Sequence, residues 1–162
     1  MNIVTSMRKL DLENSPGALI FLASKSQERL AEIAIKKQLG LTPAQWKIIL
    51  ALSITDGLTQ KELADKIYID SSTIVPVIDK MEQNGLVERK SDSQDRRINR
   101  IFLTKKSEST VDSIILTVLQ LRKMIYHGIS ESELDLARIT LRTIIKNSDT
   151  AISEIKSSPD KS

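Results

Sequence analysis

The sequence predicts a mainly α-helical fold, about six helices with one β-hairpin. Three observations carry this. Aromatic residues make up only 3% of the 162-residue chain and apolar residues of all kinds 40%, so aliphatic side chains must fill the core, as they do where helix packs on helix. Three capping boxes mark helix starts: "TPAQ" (Thr42 to Gln45), "TQKE" (Thr59 to Glu62) and "SESE" (Ser130 to Glu133). In each, the hydroxyl accepts an orphan backbone N–H and the side chain three residues on reaches back to the cap. Gly40, Gly85 and Gly128 stand where other helices should stop.

Taken in order, helix one is expected over about Pro16 to Gln38, with Leu19, Leu22, Ala23, Leu30, Ile33 and Ala34 among its apolar positions. Helix two follows Thr42 and carries Trp46, a core residue by its setting, with Ile49 and Leu50. Helix three follows Thr59 with Leu63, Ala64 and Ile67. Helix four begins near Asp70 or Ser71 and ends at Gly85; Ile74, Val77, Ile78 and Met81 repeat at i, i+3, i+4, i+7 and define its buried face. "LVERK" reads as a strand, "SDSQDR" as a loop and "INRIFL" as the return strand. Helix five is expected from about Lys105 to His127, with Val111, Ile114, Ile115, Val118 and Ile125 on one side, and helix six from about Glu131 to Ile155.

Short helix, short helix, helix, hairpin is the order of a winged helix-turn-helix. The organisation is then an N-terminal arm (1–14), a first long helix (15–40), a winged helix-turn-helix region (41–104), two C-terminal helices (105–156) and a disordered tail (157–162). The flanking helices are too apolar to stand free, so they pack on each other or on a second chain.

Other classes are excluded. The chain has no cysteine and one histidine, which rules out a disulfide framework, a thiolate zinc site and a thiol sensor. Neither a metal nor a cofactor is expected. No stretch has the apolar length of a membrane span or a signal peptide, so a cytoplasmic protein without membrane contact is expected. No nucleophile–base set, Gly-rich phosphate loop or pair of catalytic carboxylates occurs, which argues against an enzyme. His127 is read as a residue of a helix C-terminus.

Charge is unevenly placed. Residues 88–106 hold seven basic side chains against three acidic ones, a net of +4, while the whole chain has only +3. An anionic partner is expected there. Two basic residues, Arg96 and Arg97, fall at the tip of the expected hairpin, where they do nothing for folding. Arginine is the side chain suited to a narrow minor groove, and Asp95 can hold a guanidinium through a bidentate pair. In a helix-turn-helix the outer face of the second helix enters the major groove, N-terminal residues first. Here that helix offers Ser71, Ser72, Thr73, Val75, Pro76 and Lys80: hydroxyls for phosphate or base edges, apolar groups for a thymine methyl. Pro76 lacks an N–H, which in a helix interior costs on the order of 3 kcal/mol; the first turn must bend or the helix must start later.

These residues resemble the MarR family of bacterial and archaeal transcription regulators. The resemblance runs from Leu41 to Thr104 through "LTPAQW", "LTQKELA", "STIVPVIDKMEQNGLVER" and "DRR" with "LT" following at 103–104. The flanking helices match in length and placement. The resemblance implies a homodimer held by the N- and C-terminal helices, double-stranded DNA as partner, and a wing in the minor groove with Arg97 as the inserted residue and Asp95 as its orienting partner. It implies backbone contacts from Gln60 and Lys61, to which the basic Arg89 and Lys90 are added. It also implies release by a small-molecule effector, for which Tyr68 and Tyr126 are pocket candidates beside the plainer reading of partial packing. Two departures stand out: Ser107 follows "LTKK" where the family often has Gly, and the peroxide-sensing branch, whose recognition helix is similar down to its Pro, senses through a cysteine that this chain lacks.

The expected function is sequence-specific transcriptional regulation, most simply repression. The alternatives are a winged-helix protein-interaction module and a non-specific architectural DNA binder.

Overall fold

The computed structural model of the protein describes residues 14–158. The expected arm lies outside them but for Asn14, and the expected tail from residue 159 on; Ser157, expected in the tail, is instead the last residue of the C-terminal helix. The order is α1 (Pro16–Leu39), α2 (Pro43–Ile54), β1 (Leu58–Thr59), α3 (Gln60–Ile67), α4 (Ser71–Gln83), β2 (Val87–Ser91), β3 (Asn99–Leu103), a 3₁₀ turn (Lys105–Ser107), α5 (Glu108–Ile125) and α6 (Glu131–Ser157).

The helix starts form as their caps dictate. Thr42 Oγ1 accepts the Gln45 N–H at 3.4 Å and Gln45 Oε1 accepts the Thr42 N–H at 3.0 Å. The same exchange joins Thr59 and Glu62 (3.2 and 2.7 Å) and Ser130 and Glu133 (3.3 and 2.8 Å). Each such cap is worth about 1 kcal/mol. Ser15 adds a fourth, its Oγ accepting the Ala18 N–H at 3.2 Å ahead of Pro16. At the other end of α1, Gly40 takes the left-handed φ of 67° that lets its N–H reach the Lys36 carbonyl. α3 stops without a glycine: Tyr68 itself adopts φ 57°.

One helix start differs from expectation. Helix five does not start at Lys105. The Thr104 carbonyl accepts both the Ser107 hydroxyl (2.7 Å) and the Ser107 N–H (3.0 Å), which closes a tight turn before α5 opens at Glu108. Helix four begins at Ser71, as expected, and carries Pro76 within it, so Pro76 neither delays nor ends the helix.

The sheet has three antiparallel strands in the order β1-β3-β2. Sequence periodicity misses β1, because two residues cannot show a period. Its register sets Leu58 opposite Ile101 and Thr59 opposite Arg100, so the root of the wing is paired to the start of α3.

Through Ile125 the described chain packs as one unit. Its core is aliphatic apart from Trp46: Ile35 of α1, Ile48, Ile49 and Leu52 of α2, Leu63 of α3, Ile74, Ile78 and Met81 of α4, Val87 and Ile101 of the sheet, and Ile114 of α5 are all buried. Each such side chain contributes about 2 kcal/mol of transfer free energy. α5 packs on α1 and α2, and the buried Thr117 hydroxyl lies 2.8 Å from both the Ser113 carbonyl and Gln38 Oε1. The expected apolar set of α1 is not its buried set. Ile35 is the buried residue of that helix, while Leu19, Leu22 and Ile33 stay exposed, as does Phe21 at 61%. Residues from Tyr126 onward form a second unit dominated by α6. That helix buries no side chain; Leu136, Ile139, Ile145 and Ile155 all face solvent. No described helix is long and apolar enough to cross a membrane.

Candidate nucleic-acid interface

α4 divides its two faces cleanly. Ile74, Ile78 and Met81 are buried and Val77 packs partly against the core. Ser71, Ser72, Thr73, Val75, Pro76 and Lys80 are all exposed. Their types and spacing leave hydroxyls, an amine and two apolar groups on a surface with no role in the core. Asp70, at the cap position, makes no side-chain cap bond.

The wing is built around two aspartates. Asp92 Oδ1 accepts the N–H groups of Gln94 (2.8 Å) and Asp95 (3.1 Å), turning the chain. Its Oδ2 accepts Arg100 Nε. The Arg100 bond, then those two amides, hold the Asp92 carboxyl down to about 2. The loop is closed by Asp92 N–H to the Ile98 carbonyl (2.8 Å) and Ile98 N–H to the Asp95 carbonyl (2.9 Å). Asp95 takes Arg97 by both ends of its guanidinium, Nε to Oδ1 at 3.0 Å and Nη2 to Oδ2 at 2.8 Å, and accepts the Arg97 N–H at 3.0 Å as well. The guanidinium, followed by that amide, lowers the Asp95 carboxyl below its ordinary range. Arg97 is nonetheless 90% exposed. Arg96 beside it is exposed and, among the described residues, makes no ion pair.

The remaining expected contacts separate. Lys61 is exposed and Gln60 half-buried, both in the first turn of α3. Lys90 is exposed, pairs with Glu88 at 2.7 Å and sits 5.1 Å from the centre of the Phe102 ring. Arg89 is directed inward: its nitrogens bond Asp79 (2.5 Å) and Glu82 on α4. Tyr68 is 94% exposed at the end of α3, and Tyr126 follows the last residue of α5. Sequence reasoning missed the residues under the wing: Asp56, whose Oδ1 accepts the N–H groups of Gly57 and Leu103 at 3.1 Å each, and Arg100, whose Nη1 donates to the Gly57 carbonyl at 2.9 Å. Only the place of Asp92 at the head of a polar loop was a usable signal.

Comparison with known proteins meets this geometry. The MarR family model matches residues 41–98. The crystal structure of the transcriptional regulator PA3341 is 30% identical, covers 83% of this chain and 98% of its own, and superposes with a TM-score of 0.77. The chain belongs to the MarR family. A MarR-family regulator from Silicibacter pomeroyi (24% identity, 84% and 91% coverage, TM-score 0.74) and the repressor CouR bound to a 23-mer DNA duplex (24%, 84% and 96%, 0.71) share the fold. As a MarR-family protein the chain is a winged-helix transcriptional regulator and not an enzyme. In it, α3 and α4 are the helix-turn-helix and the β2–β3 hairpin is the wing.

Proposed function

We propose that this MarR-family protein is a homodimeric, sequence-specific DNA-binding repressor acting on a near-palindromic operator. The observation that carries the reading is the Asp95–Arg97 pair. A guanidinium held at two nitrogens yet 90% exposed is oriented without being used by the fold. That is the preparation a minor-groove arginine needs, since the ordering cost is met before DNA arrives. The exposed outer face of α4 supplies hydroxyls and apolar groups for the major groove, with Lys61 and Lys90 set for phosphate. CouR, of similar fold, binds a DNA duplex.

The dimer is supported by apolar surface left open on α1, α5 and α6: Phe21, Leu116, Leu119, Leu136 and Ile139 are exposed. Two-fold symmetry then sets half-sites about one helical turn apart. A small-molecule effector belongs to the same proposal; a compound that lowers affinity in the assay below would establish it.

The test is fluorescence anisotropy with duplex DNA from upstream of the protein's own gene, against a scrambled duplex, at two salt concentrations. Tight, salt-sensitive binding to the first alone supports the reading. Equal binding to both would replace it with an architectural role, and binding to neither with a protein-interaction module.

A further inference from the structure

Arg100 lies outside the expected contact set, and its bonds give it a different part. Its Nε donates to Asp92 Oδ2, its Nη1 donates to the Gly57 carbonyl at 2.9 Å, and the same nitrogen stands 3.8 Å from Glu62 Oε2. The three partners belong to three pieces of chain: the wing loop, the turn before β1 and the first turn of α3. Glu62 is itself fixed there, accepting the Thr59 N–H at 2.7 Å. From Arg100 the bonds continue outward. Asp92 holds the amides of Gln94 and Asp95, and Asp95 holds Arg97. An unbroken series of hydrogen bonds and ion pairs therefore joins the start of α3 to the tip of the wing. Charge-assisted bonds of this kind are the strong ones, and the planar guanidinium fixes direction as well as distance.

We propose that Arg100 is a positioning residue: it sets the wing turn through Asp92 and locks the wing root to α3, so that Arg97 and the α3 start meet the duplex as one preformed unit. The proposal rests on the DNA-binding reading for its functional half and on the free protein alone for its structural half. Arg100 acts through Arg97 and not by a DNA contact of its own, its Nε and Nη1 being already engaged by protein acceptors.

The experiment has two arms. In the free protein, amide hydrogen exchange read by NMR compares wild type, Arg100→Leu and Arg100→Lys. Arg100→Leu is expected to speed exchange at Gln94 and Asp95 about tenfold while Ile78 and Met81 keep their protection. Arg100→Lys, which keeps the charge and loses the fork, falls between. On operator DNA, Arg100→Leu is expected to lower affinity about fivefold with an unchanged salt slope, and to cost less than about twofold in an Arg97→Ala background. Unchanged exchange at Gln94 and Asp95 in both variants would overturn the proposal. So would effects that multiply in the double variant, or a salt slope reduced by about 1, the mark of a direct phosphate contact. If wild type binds no duplex at all, the DNA-binding reading fails, and the exchange arm still decides whether Arg100 orders the wing.

Discussion

The Arg89 guanidinium on β2 meets the Asp79 carboxylate on α4 at 2.5 Å, and its other terminal nitrogen meets Glu82 one turn further along the same helix. Glu82 also accepts the Arg89 N–H at 2.9 Å. The first strand of the wing is thereby pinned to the helix expected in the major groove. Burial works against the Arg89 charge, but the bonds to Asp79 and Glu82 outweigh it and raise its pKa. Arg89→Ala is expected to lower the unfolding free energy by about 1–2 kcal/mol, measured by urea titration. The loss stays modest because Asp79 and Glu82 keep their water when the partner goes; a loss above about 3 kcal/mol would mark a pair closed to solvent.

Arg97→Ala separates binding from folding. With the side chain in water, its removal should leave the melting temperature unchanged. Operator affinity should fall by about 10- to 100-fold, the loss of one well-placed groove contact. Anisotropy and a thermal melt on the same sample check both halves. Normal binding by the variant would sink the wing reading.

Of the five glycines, Gly57 leaves an added side chain the least room. Its φ is +74°, and a Cβ there would lie 2.8 Å from Phe102 Cε1. Gly57→Ala combines a left-handed non-glycine backbone with a forced shift of the ring, and an expected loss is about 2 kcal/mol or more. The β1 pairing and the carbonyl that receives Arg100 should loosen together, visible as faster amide exchange at Ile101.

Acid should reach the wing late. The folded Asp92 carboxyl titrates near 2, below its ordinary 3.8. A lowered folded value means the ionised group's contribution is complete above about pH 4 and is lost as pH falls through 3.8 toward 2. An NMR titration of the Asp92 carboxyl carbon should therefore show a midpoint near 2, and Asp92→Asn should remove the transition. A midpoint near 3.8 would mean that the Arg100 and amide bonds are not formed in solution.

Sedimentation addresses the dimer. Wild type at micromolar concentration should run at about twice its 18.2 kDa, and its melting temperature should rise with concentration. Leu136→Lys combined with Ile139→Lys, both exposed on α6, should shift it to the monomer mass; a wild-type monomer at these concentrations would contradict the proposed assembly.

Much of the fold was legible because its signals are short in range. Thr42 with Gln45, Thr59 with Glu62 and Ser130 with Glu133 are partners three residues apart, and the buried face of α4 follows from one apolar period. That Asp95 holds a guanidinium was legible for the same reason; the choice of Arg97 over Arg96 came from the family resemblance. What escaped depends on distant chain. β1 exists because Leu58 meets Ile101, and Arg100 has its role because Gly57, 43 residues earlier, lies within reach. Nothing at Arg89 reveals in sequence that its fork turns toward α4. The α1 face misled because apolar periodicity marks a surface to be covered without saying whether the same chain covers it.

The capping boxes have a kinetic consequence. A helix start defined by partners three residues apart closes almost no loop, so α2, α3 and α6 can nucleate from their own segments within microseconds. The wing root cannot: Asp56 and Leu103, whose bond helps to close it, are 47 residues apart. Contacts of such separation form late in folding and carry most of its entropic barrier. The capped helix starts are thus the fast part of the chain, and the joins made over long separations, the wing root and the contact of Gln38 on α1 with Thr117 on α5, 79 residues apart, are the slow part.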